Sequence, residues 1–314
     1  AICGMILFAF RRLSPKALII GAVVCLFLQT ARDNVSYYRD KNIIRKGEMI
    51  AKIDTTQTKL TAVQKEQLEE FDGFKGKSSA ENKKKDMEKS LRGIRGSYPE
   101  LYAYQSERSY HGEVFYTYYA LWDVLIFMML GMAFFKNGVF LGNAPVKTYL
   151  FMFIIGLGSG LVLSWFRLQP MIDYNFNNYE ITKNVKFQSY EISRTLRAIG
   201  IFGLLMLLYK SGWFKWLFVL MRPVGQMAFT NYLMQSLLVG LYFYGVGWGM
   251  FGKLQRYEIY YVVAATWALQ IIWSHIWLRY FRFGPLEWLW RSLTYWKKQP
   301  MKKNSVNTDS MGMG

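Results

Sequence analysis

The sequence predicts an all-α fold, a polytopic transmembrane helix bundle with about six complete spans and one truncated span at the N-terminus. Composition is the first reason: of 314 residues, 52% are hydrophobic and 18% are aromatic, which is too apolar for an ordinary soluble domain. The second reason is that several apolar segments approach the roughly 20 residues that a helix needs to cross a bilayer. The lipid bilayer is therefore the first expected partner.

The predicted spans begin with a partial one. About ten apolar residues precede Arg11 and Arg12, and we interpret them as the end of a membrane helix whose first half is missing, because a secretory signal has its basic residues before the apolar run. Complete membrane helices are expected at approximately 17–31, 118–135, 147–166, 196–210, 224–246 and 258–278. The chain then divides into four regions: 1–30, an extracytoplasmic polar segment 31–117, a C-terminal helical membrane domain 118–296 and a disordered tail 297–314.

The distribution of positive charge predicts the orientation. If the helices alternate, the loops and tail on one side contain 15 Lys/Arg, whereas the other side, apart from residues 31–117, contains 7. Lys and Arg in short loops are retained in the cytoplasm, so we expect a cytoplasmic C-terminus and an extracytoplasmic segment 31–117. Within that segment, Thr61 and Gln64 have the capping-box spacing that begins a short helix.

The formal net charge of +18 does not indicate a nucleic-acid-binding protein. Residues 31–117 are nearly balanced, with 17 Lys/Arg against 14 Asp/Glu, and the remaining excess lies beside apolar segments. The two histidines, His111 and His275, are too few for a His-rich metal site, and Cys3 and Cys25 lie in apolar stretches without a paired pattern. We therefore expect no metal and no nucleic-acid partner.

The segment RPVGQMAFTNYLMQS, residues 222–236, is the most polar opening of a predicted membrane helix. Gln226 and Thr230 are four residues apart, as are Asn231 and Gln235, so each pair shares a helix face. Such groups in a bilayer face either a wet cavity or a neighbouring helix. Two interpretations stay open: the four residues line a cavity for a substrate or lipid headgroup, or they join helices by hydrogen bonds.

Two more polar residues lie near the outer end of the helix predicted at 118–135. In one interpretation, Asp123 extends into the membrane interface or stabilises the positive end of the helix dipole. In the other, it is a carboxylate that couples transport to a proton or cation. His111, near Glu107 and Glu113, is either an interfacial side chain or a general base for acyl transfer.

The stretch FRFGPLEWLWRSLTYW, residues 281–296, follows the last membrane helix on the expected cytoplasmic side. Pro285 suits the first turn of a short helix, and the tryptophans and cations are typical of a membrane interface. Glu287 stands four residues before Arg291, the favourable orientation for an ion pair. We predict that Glu287 pairs with Arg291, or with another arginine of this face, and closes the cytoplasmic end of the bundle.

Five blocks occur in an order and spacing typical of a known family: FAFRRLSPKAL, LRGIRGSYPELYAYQSER, FMMLGMAFFKNGVF, RPVGQMAFTNYLMQSLL and WLRYFRFGPLEWLWRSLTY. They resemble the YeiB-like proteins of domain-of-unknown-function family 418, and the last block is the most distinctive. The resemblance implies a multi-pass protein of the bacterial inner membrane. It also implies a distant similarity to membrane acyltransferases, in which an essential histidine and arginine lie in the first part of the fold. The family's amino-terminal Asp-x-x-Arg-Gly block is absent from this sequence.

Three functions are open at this stage: transport, acyl transfer, and a non-catalytic structural or assembly role. Members of the family are often described as transporters, and here the helix 224–246 and Asp123 would border the path of an unidentified small molecule or lipid-linked substrate. The alternative is an acyltransferase that modifies an extracytoplasmic glycan or lipid from a cytoplasmic acyl donor. Arg222, Arg279 and Arg282 would suit an anionic donor such as acyl-coenzyme A, the one cofactor that this alternative requires. The oligomeric state stays open.

Overall fold

The computed structural model of the chain describes residues 2–53 and 59–303, except for the side chains of residues 2–4, 111, 114–116, 118 and 119. Within this part every regular element is a helix, so the predicted all-α class is confirmed. The chain forms two compact units. The first comprises Ala1–Glu88 and Glu107–Ser211, and the second comprises Lys89–Ser106 and Gly212–Gly314.

The helices follow one another with short connections. In chain order they are α1 (Ile2–Ala9), α2 (Pro15–Ile50), α3 (Ala62–Lys77), α4 (Ala80–Arg95), α5 (Tyr98–Lys136), α6 (Val146–Phe151), α7 (Gly158–Asp173), α8 (Asn178–Asn184), α9 (Tyr190–Ser211), α10 (Lys215–Gln226), α11 (Ala228–Phe243), α12 (Glu258–Tyr280) and α13 (Pro285–Thr294). A 3-10 turn at Phe10–Arg12 follows α1. A π-helical stretch, Met152–Leu157, joins α6 and α7 into one continuous helix.

Four helices of the described residues are long and apolar enough to cross a membrane. They are Pro15–Ile50, Val146–Asp173, Tyr190–Ser211 and Glu258–Tyr280, and each contains one of the predicted spans. The span predicted at 118–135 lies within α5, where several side chains are outside the described residues. That span therefore stays a prediction.

The bounds predicted for the span at 224–246 are wrong, because the helix is interrupted at Met227. The part that follows, α11, has 16 residues. At 1.5 Å per residue its length is about 24 Å, less than the roughly 30 Å of a bilayer core. Pro223 lies inside α10, where it lacks an N–H group and weakens the helix shortly before the break.

Two helices extend far beyond the predicted membrane segments. The prediction ends the first complete span near residue 31, but α2 continues to Ile50; it begins the next near residue 118, but α5 starts at Tyr98. Hydropathy locates the apolar part of a helix and not its ends, because backbone hydrogen bonds continue through polar residues that favour helix. Much of the polar segment 31–117 is consequently helical.

The first unit is organised around α2. Leu18 and Ala22 of its apolar half are buried against Ile126 of α5. In its polar half, Asn34 exchanges hydrogen bonds with the backbone of Gln188: Nδ2 donates to the carbonyl at 3.0 Å, and Oδ1 accepts from the N–H at 2.9 Å. Apolar packing thus holds one half of α2, and directional hydrogen bonds hold the other.

Small residues let α9 approach the helix Val146–Asp173 closely. A Cβ atom added at Gly200 would lie 2.2 Å from the backbone nitrogen of Leu157. Across the same contact, the hydroxyls of Ser164 and Ser193 are 2.6 Å apart and share a hydrogen bond. Glycine and serine are typical of membrane helix pairs, which associate through close packing and interhelical hydrogen bonds.

The second unit contains α10 to α13 together with residues 89–106. The loop after α11 is fixed to this short segment. Gly245 donates its N–H to the carbonyl of Ile94 at 2.9 Å, and Arg95 Nε donates to the carbonyl of Phe251 at 2.6 Å. Within the unit, α12 packs against α10 and α11, and α13 packs against α11.

The prediction of a disordered tail from residue 297 onward is wrong as far as Lys303. The N–H of Arg282 donates to the carbonyl of Met301 at 2.9 Å, so the tail pairs with the chain just after α12. This pairing gives hydrogen-bond partners to backbone groups that the end of α12 leaves unpaired. Amino-acid composition does not indicate such a pairing. The rest of the predicted tail, 304–314, lies outside the described residues.

Two local predictions are confirmed. Thr61 Oγ1 accepts the N–H of Gln64 at 3.3 Å while Gln64 Oε1 accepts the N–H of Thr61 at 2.9 Å, and this capping box begins α3. Pro285 is the first residue of α13. Both signals act within a few residues of the chain, so they can be read from sequence.

Candidate functional site

The interruption between α10 and α11 is the centre of the candidate site. Met227 separates the two helices with φ −110° and ψ 29°, which is outside helical geometry. Its N–H still reaches the carbonyl of Pro223 at 3.1 Å. A break of this kind leaves carbonyl groups at the end of α10 and N–H groups at the start of α11 in need of partners. Polar side chains supply a partner on each side.

Glu287 of α13 is the partner for the start of α11. Its Oε1 accepts hydrogen bonds from the N–H groups of Phe229 at 2.7 Å and Thr230 at 3.0 Å, and its Oε2 accepts from the Thr230 hydroxyl at 2.5 Å. These bonds are charge-assisted, and the positive end of the helix dipole also favours a carboxylate here. Glu287 therefore closes the first turn of α11.

The predicted ion pair between Glu287 and Arg291 is wrong. No ion pair of Glu287 occurs within the described part of the chain, and the Arg291 guanidinium lies over the Phe283 ring, 4.6 Å from its centroid. An i,i+4 pair on a helix surface contributes only about 0.2–0.5 kcal/mol. The N–H groups at the break compete successfully for the carboxylate, because they have no other helical partner.

Asn231 of α11 is the partner for the end of α10. Its Nδ2 donates to the carbonyl of Val224 and to the hydroxyl of Ser274, each at 3.0 Å. Its Oδ1 accepts the indole N–H of Trp273 at 2.6 Å, and its backbone carbonyl accepts from Gln270 Nε2 at 3.1 Å. The donors and the acceptor of this amide are thus used, and they link α10, α11 and α12.

The break divides the four polar residues that the sequence places on shared faces. Asn231 and Gln235 stay together, because Gln270 Nε2 also donates to Gln235 Oε1 at 3.2 Å. Thr230 is buried against α13. Gln226 is the last residue of α10 and lines a cavity. These contacts favour the helix-joining role for Thr230, Asn231 and Gln235 and the cavity role for Gln226.

The cavity beside Gln226 has a volume of about 550 Å³ and is strongly basic. Its cations come from three segments: Arg222 from α10, Arg279 and Arg282 from the end of α12 and just after it, and Lys303 from the folded tail. The rest of its wall consists of Val219, Pro223, His275, Leu278 and Phe281. The cavity therefore combines clustered positive charge with an apolar surface.

No carboxylate is paired with these cations among the residues that the structure describes. Residues 212–303 contain two acidic residues, Glu258 and Glu287. Glu287 binds the start of α11, and Glu258 accepts a backbone N–H ahead of α12 at 2.7 Å. The Lys303 ammonium donates to the neutral carbonyl of Leu278 at 2.5 Å. The positive charge of the cavity is therefore available to an anion from outside the chain.

His275 is the one titratable side chain of this wall that is neither arginine nor lysine. Its Nδ1 lies 2.9 Å from the carbonyl of Ile271, one helical turn earlier. A carbonyl only accepts, so Nδ1 carries a proton in this contact, and in the neutral form of the ring Nε2 is an acceptor. In that form His275 can take a proton from a bound group, and its neighbours on this wall include no hydroxyl, thiol or carboxylate that could serve as a nucleophile.

Asp123 lies in the first unit and is paired with Arg194 of α9. Arg194 Nη1 donates to Asp123 Oδ2 at 3.1 Å, and Nη2 donates to Oδ1. The same Nη2 donates to Glu191 Oε2 at 2.6 Å. The structure thus gives Asp123 an arginine partner that neither sequence interpretation named. The side chain of the other candidate, His111, lies outside the described residues, so its role stays a prediction.

Sequence reasoning missed the partners on α12 and in the tail. Gln270, Trp273 and Ser274 recur at the three- and four-residue spacing of one helix face, a pattern that could have indicated a polar contact with α11. Lys303 had no such signal, because its position depends on the backbone pairing of the tail.

Comparison with known proteins identifies relatives of this chain. Residues 134–297 match the family described as "Protein of unknown function (DUF418)". This region runs from the end of α5 through α13, so it includes the helix break and the cavity apart from Lys303. No solved structure matches the chain.

Three curated relatives are similar over part of their length. "Uncharacterized protein YxaH" of Bacillus subtilis (strain 168) is 50% identical over 82 residues, which is 26% of this chain and 20% of the relative. "Uncharacterized protein YeiB" of Escherichia coli (strain K12) is 33% identical over 180 residues, 55% of this chain and 44% of the relative. "Uncharacterized 39.9 kDa protein in amylase 3'region" of Bacillus acidopullulyticus is 30% identical over 185 residues, 55% of this chain and 53% of the relative.

The chain spans about half or less of the length of these relatives. The family match, in contrast, covers more than half of the chain, and it agrees with the blocks that resemble family 418. The chain therefore belongs to the DUF418 family.

Proposed function

We propose that the protein is a transporter of the bacterial inner membrane that moves an anionic small molecule or lipid-linked substrate across the bilayer. The observation that carries this proposal is the break between α10 and α11 beside a basic cavity without a paired carboxylate. In many secondary transporters, a discontinuous membrane helix forms the substrate site. Here the last turn of α10 contributes Arg222 and Gln226 to the cavity wall.

The side chains at the break have a positioning role in this proposal. Glu287 and Asn231 hold the ends of α10 and α11 in place, so the last turn of α10 keeps its orientation toward the cavity. The positive-inside rule puts Arg222, Arg279 and Arg282 on the cytoplasmic side, so the substrate enters the cavity from the cytoplasm. The proposed direction of transport is therefore outward.

Inside-out membrane vesicles test this proposal, because they expose the cytoplasmic face. Vesicles from cells with and without the full chain are incubated with the anionic fraction of a uniformly ¹³C-labelled bacterial extract, and mass spectrometry measures the labelled compounds in the lumen and membrane. We expect at least one labelled anion or lipid-linked compound to accumulate only with the chain. Arg222→Gln lowers this accumulation, because it removes a cation of the cavity.

Lys215→Gln is the matched control, because Lys215 is exposed on the same helix and does not line the cavity. It leaves the accumulation unchanged. Equal labelling of vesicles with and without the chain contradicts the proposal, and so does an equal loss with Arg222→Gln and Lys215→Gln.

Acyl transfer is the second candidate, and the chemistry of the same cavity favours it. Cations suit the phosphates of an acyl-coenzyme A donor, and His275 Nε2 can accept a proton. The vesicle experiment separates the two functions when labelled acyl-coenzyme A is supplied. Acyl transfer leaves the label in an ester or amide of the membrane material, whereas transport leaves an unmodified compound on the far side of the membrane.

A further inference from the structure

We infer that the basic cavity of the second unit is a binding site for a phosphate ester. Arg222, Arg279, Arg282 and Lys303 hold the phosphate group, and the apolar wall holds the organic part. This inference rests on the proposed function in one respect, because it names the chemical class of the substrate for the same cavity. The binding itself can be measured without any transport.

Charge is the first argument for a phosphate. Four cations share this wall, and neither acid of residues 212–303 is paired with them, because Glu287 and Glu258 accept backbone N–H groups elsewhere. A carboxylate ligand has one negative charge, whereas a phosphate monoester has about 1.5 to 2 at neutral pH and three acceptor oxygens. Arginine forks bind such groups by paired, charge-assisted hydrogen bonds.

The construction of the cavity is the second argument. The cations come from three separate segments, namely α10, the end of α12 with the residues just after it, and the tail. The tail is held in place by the pairing of Phe281 with Lys302 and by the bond from Trp288 Nε1 to the carbonyl of Gln299 at 2.7 Å. The fold therefore brings Lys303 to arginines that are distant in sequence.

Size and wall chemistry are the third argument. Small-molecule sites commonly have volumes of about 300–1,000 Å³, and the volume of about 550 Å³ lies in that range. A phosphate ion alone occupies a small part of such a volume. The side chains of Val219, Leu278 and Phe281 offer apolar contact to an attached organic group. The cavity therefore fits a phosphate ester better than inorganic phosphate.

The ester has two chemical sources, a soluble phosphate ester of the cytoplasm and the headgroup of an anionic lipid. Glycerol 3-phosphate, a phosphate monoester, and phosphatidylglycerol, a phosphodiester with one negative charge, are the two probes, because both present a phosphate on glycerol. The purified full chain in detergent is tested by equilibrium dialysis with ¹⁴C-glycerol 3-phosphate and with ¹⁴C-glycerate, in which a carboxylate replaces the phosphate. Native mass spectrometry then measures phosphatidylglycerol retained by the same protein.

We expect glycerol 3-phosphate to bind, or phosphatidylglycerol to be retained, and the double variant Arg279→Gln/Arg282→Gln to weaken that binding at least tenfold. The double variant Lys215→Gln/Lys297→Gln removes two exposed cations that do not line the cavity, so it leaves binding within twofold of the native chain. Binding of glycerol 3-phosphate would show that the ligand is a soluble ester of the cytoplasm. Retention of phosphatidylglycerol alone would show that the ligand is a lipid headgroup.

Lys303→Gln keeps the test decisive if the double arginine variant does not fold. It removes one cation of the cavity and is expected to weaken binding about three- to tenfold. Three results overturn the inference: no binding of either probe, equal weakening by the cavity and control variants, or glycerate binding as tightly as glycerol 3-phosphate.

The failure of this inference is distinguishable from failure of the proposed function. Phosphate-ester binding without chain-dependent movement of any labelled compound in vesicles contradicts transport and supports the binding site. Chain-dependent movement of a compound without phosphate, together with no binding of either probe, supports transport and overturns the binding site.

Discussion

The hydroxyl of Thr230 donates to Glu287 Oε2 at 2.5 Å and accepts the N–H of Leu286 at 3.2 Å, so it joins the first turns of α11 and α13. Gly284 makes room for this contact. A Cβ atom at that position would lie 2.1 Å from Glu287 Oε2 and 2.8 Å from Thr230 Oγ1. The glycine of the FRFGPLEW motif is therefore required by side chains from two helices.

Removal of the Glu287 carboxylate is expected to destabilise the second unit. Glu287→Ala leaves the N–H groups of Phe229 and Thr230 without their acceptor, at a cost of about 1–3 kcal/mol, and it lowers the melting temperature in detergent. Glu287→Gln keeps one acceptor oxygen and has a smaller effect. Arg291→Gln is the control and changes stability by less than about 0.5 kcal/mol. Equal destabilisation by Arg291→Gln would restore the ion-pair interpretation.

Asn231→Ala is expected to lower the thermal stability of the protein, because Asn231 joins helices by hydrogen bonds. It leaves the indole N–H of Trp273 without its acceptor and removes one of two donors to the carbonyl of Val224, which still accepts the N–H of Met227 at 3.2 Å. The expected cost is about 1–3 kcal/mol. Gln226 lines the cavity, so Gln226→Ala is expected to leave the melting temperature nearly unchanged. Thermal unfolding in detergent compares the two variants. If Asn231→Ala melts like the native chain and loses only flux, the residue acts on the substrate and not on the helices.

Two glycine-to-alanine changes in the first unit are expected to have opposite effects. Gly200→Ala puts a methyl group 2.2 Å from the backbone nitrogen of Leu157, so α9 must move away, and overpacking of this kind costs about 1–3 kcal/mol. Gly158→Ala meets no atom within 4 Å and gains about 0.5–1 kcal/mol of helix stability. Detergent melting curves measure both. Similar melting temperatures for the two variants would show that the close helix contact is absent.

The Asp123–Arg194 pair is expected to couple α5 and α9 energetically. We predict that Asp123→Asn and Arg194→Gln together cost less than the sum of their separate effects, because each single change removes the same charge pair. The expected coupling is about 1 kcal/mol, since both side chains are about a quarter exposed and solvent weakens the pair. A double-mutant cycle on thermal stability in detergent measures it. Strict additivity would contradict the pairing.

Structural features that depend on residues close together in sequence could be predicted, whereas contacts between distant parts of the chain could not. The capping box of Thr61 and Gln64 and the helix start at Pro285 are confirmed because each involves neighbouring residues. The pairing of Glu287 with Arg291 is wrong because its actual partners begin α11, far away in sequence. The spacing within α13 suggested Arg291 as the partner of Glu287, but the fold brings the unpaired N–H groups of α11 to this carboxylate.

The basic cavity also depends on contacts between residues that are distant in sequence. Charge distribution alone indicated that Arg222, Arg279 and Arg282 suit an anion, and the structure brings all three to one wall. Their convergence could not be predicted, because α11 and α12 lie between the first arginine and the others. Lys303 was assigned to a disordered tail, since a short polar segment gives no indication of the backbone pairing that orders it.

The ordered tail has a practical consequence for anyone who prepares this protein. Its last described residue, Lys303, donates its N–H to the carbonyl of Tyr280 at 3.1 Å, and its side chain is part of the cavity wall. Trimming the chain after α13 to aid crystallisation, or fusing an affinity tag close behind Lys303, would alter the very surface on which an anion is expected to bind. Reporter groups and purification handles are better attached at a site remote from this segment.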